Sequence, residues 1–123
     1  MENNLHKSCK YCKNEIDINS INVSNLYLIR LETYDYHRGT DYEYDFYIKC
    51  SKCNFNSFIK ITIDEAKEIL KICGYDIKQS NRLQCQYNSI EEIFEKYYPN
   101  NYKTVFFTLD NRNPEDIFVG VGN

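Results

Sequence analysis

The chain has 123 residues, with 15 basic and 18 acidic side chains giving a formal charge of -3. That length suits one modest core, and the near-balanced charge argues against a protein held to nucleic acid by bulk electrostatics. No run approaches the roughly 18 to 20 apolar residues of a membrane helix, and the opening residues lack the apolar stretch of an export signal, so the expected compartment is the cytoplasm.

Residues 1–8 are polar and read as loose. The stretch CKYC then forms a tight turn with cysteines at i and i+3, and a strand over Leu26 to Tyr36 follows an Asn/Ser-rich connection. His37-Arg38-Gly39-Thr40-Asp41 is a turn signal, with His37 read as an exposed imidazole. Beyond it Tyr42, Tyr44, Phe46 and Ile48 alternate with Glu43, Asp45, Tyr47 and Lys49, the period of two that defines a strand. The two strands are expected to pair as an antiparallel hairpin.

CSKC is the second tight turn, and Asn54 to Ile63 reads as a third strand. Thr62 and Glu65 have capping-box spacing, and Ala66, Ile69, Leu70 and Cys73 share one helical face, so a helix is expected from about Ile63 to Gly74, with Cys73 in the core. Residues 75–88 read as a connection with a short strand near Leu83 to Tyr87. Ser89 and Glu92 suggest a second capping box, opening a helix that Pro99 closes. Tyr102 to Leu109 and Ile117 to Val121 read as a terminal hairpin. The expected fold is α+β: antiparallel hairpins with two helices packed on the sheet, a metal-bearing half over residues 1–63 and a helix-helix-hairpin half over 64–123, forming one compact domain.

Cys9, Cys12, Cys50 and Cys53 make two CxxC pairs in a chain without an export signal, which favours metal ligation over disulfides. Four thiolates complete a tetrahedral zinc site with no position left for water, so such a site is structural; His6 is not needed as a ligand. The intervening 37 residues hold the hairpin. Two such knuckles flanking a hairpin resemble the zinc-ribbon family over residues 9–63, which implies one structural zinc on these four cysteines and nothing about activity. Lys13 and Asn54 stand where that family often has glycine. Cys85, in a polar context, is left open.

No nucleophile is paired with a base, no paired carboxylates sit in an apolar setting, and no phosphate-cradling glycine loop occurs. A non-enzymatic role is expected. Between Glu32 and Tyr47, carboxylates alternate with rings, and Tyr34, Asp35, Tyr36, Asp41, Tyr42, Glu43, Tyr44 and Asp45 form the candidate partner surface, since tyrosines bury large area at little rotamer cost. Lys7, Lys10, Lys13, Lys49 and Lys52 surround the knuckles, where they offset the thiolate charge or, in the alternative reading, contact phosphates of a nucleic acid in transcription or RNA handling.

The wealth of Asn, Ile, Lys and Tyr, with a single alanine, Ala66, is what AT-rich codons encode. In size and composition the chain resembles the small accessory proteins of bacteriophages and other mobile elements, anti-CRISPR proteins among them. That resemblance implies an inhibitor of a nucleic-acid-processing protein such as a CRISPR effector nuclease.

Overall fold

The computed structural model describes residues 6–9, 11–18, 21–50, 52, 57–106 and 114–118. Two short strands, β1 (His6–Ser8) and β2 (Glu15–Asp17), pair antiparallel around the first CxxC turn. Residues 6–8 are therefore strand, not loose chain, because the turn that brings the cysteines together also aligns its flanks.

The main sheet carries the expected hairpin. β3 (Leu26–Asp35) and β4 (Gly39–Lys49) pair antiparallel along their length, from Leu26 opposite Ile48 to Asp35 opposite Gly39. The Asp35 carboxylate accepts the His37 N–H at 2.8 Å and its carbonyl accepts the Arg38 N–H at 3.2 Å, while Gly39 takes a φ of 87° that a side chain would resist. β5 (Phe58–Ile61) adds to the other edge of β4.

The first helix, α1 (Ile63–Ile72), starts on the predicted capping box: the Thr62 side chain accepts from the Glu65 N–H and the Glu65 carboxylate accepts from the Thr62 N–H. It ends in a Schellman motif, in which Gly74 (φ 97°) donates to Lys71 and Tyr75 donates to Leu70. Helical geometry thus stops before Cys73, which is exposed instead of buried in the core; the apolar stripe ends at Leu70.

The second helix, α2 (Leu83–Tyr97), begins seven residues earlier than the Ser89 capping signal predicts, and residues 83–87 are helix where a strand was expected. Ser89 caps nothing; its hydroxyl accepts the Lys78 N–H at 2.9 Å and fastens the preceding connection to the helix side. Gln84, expected in that strand, and Asn88, expected in the connection, are bonded to each other one turn apart.

After α2 the chain enters β6 (Tyr102–Phe106), which runs parallel to β3 with Leu28 opposite Tyr102 and Glu32 opposite Phe106. The sheet order is β5-β4-β3-β6. The connection from β5 through both helices crosses β4 and β3 on one face, the kind of long excursion a parallel strand requires. Ile117, expected to open the second strand of a terminal hairpin, instead ends a short helix, α3 (Pro114–Ile117), and residues 107–113 and 119–121 of that expectation lie outside the described residues.

Each sheet face is apolar at its knuckle end. On one face Leu26, Leu28, Phe46, Ile48 and Ile61 pack against Ala66, Ile69 and Leu70 of α1 and Ile90, Ile93 and Phe94 of α2. On the other, Ile29, Leu31 and Tyr47 pack with Phe118, which follows α3. The mixed α+β architecture with two helices on the sheet is the one expected from periodicity.

Candidate metal centre and hairpin surface

Cys9 and Cys50 sit where strands end. Cys9 follows β1, and its N–H donates to the Asn14 carbonyl at 3.0 Å while its carbonyl accepts the Lys13 N–H at 2.9 Å. Closing this turn puts Lys13 at a φ of 65°, the left-handed region in which glycine is the easy residue. Cys50 follows β4, and its N–H donates to the carbonyl of Ser57, the fully buried residue just before β5. Strand ends therefore bring Cys50 beside the first CxxC turn, from which it is distant in sequence.

There the sulfurs of Cys9, Cys12 and Cys50 all lie within 4.8 Å of one another. The Cys12 and Cys50 sulfurs are 3.7 Å apart, too far for a disulfide and close to the roughly 3.8 Å that separates thiolates arranged tetrahedrally at about 2.3 Å from zinc. The three cysteines can hold a metal ion. Cys53, expected as the fourth ligand, lies outside the described residues, as do Lys10 and Asn54.

The environment of the three sulfurs is uneven. The Cys12 N–H and the Ser57 hydroxyl, 3.4 Å from the Cys9 sulfur, lower the Cys9 thiol to about 6, whereas burial raises Cys50 to about 11. One thiolate is thus tolerated readily and a second costs more without a cation among them, the situation in which a divalent ion takes up the charge. Asn14 donates its side-chain N–H to the Cys12 sulfur at 3.3 Å.

Of the lysines expected around the knuckles, Lys7 is engaged in an ion pair with Glu65 of α1 at 3.2 Å. Lys13 and Lys52 are exposed and Lys49 is half-buried.

The β3–β4 hairpin extends beyond the helices. Tyr34, Tyr36 and Tyr42 are 59%, 84% and 49% exposed, Asp41 and Glu43 are exposed and Asp35 is half-buried. Tyr44 and Asp45 leave the candidate surface, because both are buried. The Tyr44 ring stacks on Tyr87 of α2 at 4.4 Å, and the Asp45 carboxylate lies 3.5 Å from the Lys60 ammonium. Phe106 joins the surface unexpectedly: it stands opposite Glu32, which stands opposite Tyr42, so all three share a face, and it is 61% exposed. The alternation of Tyr102, Thr104 and Phe106 was the sequence signal for it.

Where that surface meets the helices lies a polar cluster that periodicity conceals. Glu91 is buried on the inner face of α2 and accepts hydrogen bonds from Arg30 at 2.7 Å, from Tyr44 at 3.3 Å and from Tyr102. Arg30 also pairs with Glu32 and lies 5.0 Å over the Tyr42 ring. A carboxylate inside an amphipathic helix reads as solvent-facing unless its partners on other strands are known.

Compared with protein-family models, with curated proteins and with solved structures, the chain matches none. Among the described residues no helix is long and apolar enough to cross a membrane.

Proposed function

We propose that Cys9, Cys12, Cys50 and Cys53 together hold one structural zinc ion, and that the protein is a non-enzymatic, zinc-stabilised module that binds a protein partner through the β3–β4 hairpin. The sulfur cluster supports the first part: a thiolate set is the donor chemistry zinc prefers. The observation carrying the second is the row of exposed Tyr34, Tyr36 and Tyr42 interleaved with Asp41 and Glu43 beyond the helices, a large ring area with a net negative rim.

A partner that presents a basic groove complements this rim, and proteins that process nucleic acid carry such grooves. The module therefore acts as an inhibitor that occupies the groove of a nuclease, of the CRISPR-effector kind. The test is native mass spectrometry of the zinc-loaded protein mixed in turn with candidate effector nucleases and with short nucleic acids. A stoichiometric protein complex that Tyr36→Ala and Tyr42→Ala disrupt supports the reading. A complex with nucleic acid that weakens steeply with salt replaces it with the alternative through Lys13, Lys49 and Lys52.

A further inference from the structure

The N–H groups of Cys9 and Cys50 are both bonded to residues outside the CxxC pairs. At the first, the Asn14 carbonyl accepts the Cys9 N–H at 3.0 Å and the Asn14 side chain donates to the Cys12 sulfur at 3.3 Å. At the second, the Ser57 carbonyl accepts the Cys50 N–H at 3.1 Å, and the Ser57 hydroxyl lies 3.4 Å from the sulfur of Cys9. Ser57 is fully buried and Asn14 half-buried, so neither side chain is held in place by water alone. Each carbonyl accepts the N–H of one cysteine; the Asn14 amide directs a hydrogen at the Cys12 sulfur, and the Ser57 hydroxyl faces the Cys9 sulfur, so Ser57 links Cys50 to Cys9.

We infer that Asn14 and Ser57 are positioning residues of the metal centre, which hold the Cys12 and Cys9 sulfurs by hydrogen bonds and draw off part of their negative charge. This rests on the reading that the cysteines bind a metal. A tetrathiolate centre carries a net charge of about -2, and donors aimed at its sulfurs lower the repulsion among the ligands and their tendency to take a proton or dissociate. A hydroxyl or amide hydrogen facing a sulfur serves this purpose, whereas a hydroxyl or an amide packed merely for its volume is replaceable by an apolar group of similar size.

The experiment uses the full chain with cobalt(II) as the probe, because thiolate-to-cobalt charge-transfer absorption reports both occupancy and the electron density on sulfur. Asn14→Leu and Ser57→Ala are titrated with cobalt against a chelator, with Ser57→Thr as the variant that keeps the hydroxyl. The expected result is an affinity lower by about 10-fold to 100-fold in each of the first two, with charge-transfer bands moved to longer wavelength because the sulfur lone pairs rise in energy without the donor. Ser57→Thr is expected to keep the wild-type band position. Unchanged affinity and bands in Asn14→Leu and Ser57→Ala would overturn the inference while leaving the metal reading intact. Lower affinity with unmoved bands would overturn it too, showing only a packing role. A wild-type protein with no thiolate-to-cobalt band would overturn the metal reading itself, and this inference with it.

Discussion

The Arg30 guanidinium and the Glu91 carboxylate meet at 2.7 Å between the sheet and α2, and Glu91 is buried with Tyr44 and Tyr102 as its other donors. The pair ties the middle of β3 to the helix, at the row where the apolar core gives way to the exposed hairpin. Removing Glu91 takes the shared acceptor from the Tyr44 and Tyr102 hydroxyls and leaves Arg30 with Glu32 as its carboxylate partner. Glu91→Ala is expected to cost about 1 to 3 kcal/mol in denaturant unfolding, with Glu91→Gln milder because the amide oxygen still accepts from the tyrosines. A cost under about 1 kcal/mol for Glu91→Ala would mean that the cluster does not hold the helix to the sheet.

Alkaline pH weakens the same cluster. Burial and the bond to Glu91 raise the Tyr102 phenol above its ordinary value of about 10. A group whose folded value is raised contributes stability that is fully present below its unfolded value and is lost as pH rises through the folded one. Stability is therefore expected to fall above about pH 10, and less steeply in Tyr102→Phe, measured as urea midpoints between pH 8 and pH 11. Parallel wild-type and mutant curves would contradict this.

Lys13 is expected to be a weak point. Its left-handed backbone (φ 65°) costs a side-chain-bearing residue roughly 1 to 2 kcal/mol, against an unfolded-state entropy penalty of about 0.4 to 1 kcal/mol for introducing glycine. Lys13→Gly should therefore stabilise the protein by about 0.5 to 1 kcal/mol, raising its thermal midpoint, whereas Lys13→Ala should not. A lower midpoint in Lys13→Gly would count against the turn geometry.

At α1 the capping box satisfies two backbone donors at once. Thr62→Ala is expected to lose about 1 kcal/mol, seen as a lower denaturant midpoint with an unchanged slope, and Thr62→Ser to lose much less.

The contrast between the two helices explains what was legible in the sequence. The Thr62 and Glu65 pair could be read because a capping box is completed by residues three apart, and the β3–β4 hairpin because alternation and turn chemistry are local. Ser89 and Glu92 have the same spacing, but there the hydroxyl bonds to Lys78, across a connection whose path no local pattern reveals. The paired cysteines pointed to the metal-competent cluster, while nothing in the pattern singled out Asn14, or Ser57 within the expected third strand. Asp45 and Tyr44 were placed at the surface by their position in the acidic, tyrosine-rich hairpin, and their burial, like that of Glu91, follows from partners on other elements. β6 was recognisable as a strand, but its parallel pairing with β3 depends on a crossover that strand periodicity does not encode.

The central claim is that the cysteine cluster holds one zinc ion on which the fold depends. The most direct test is metal analysis of the purified protein, wild type beside Cys50→Ser, by inductively coupled plasma mass spectrometry under reducing conditions. One zinc per chain in the wild type, with loss of most of it in Cys50→Ser, is the predicted result. A folded wild-type protein containing no zinc, or a Cys50→Ser variant that retains a full equivalent, would contradict it.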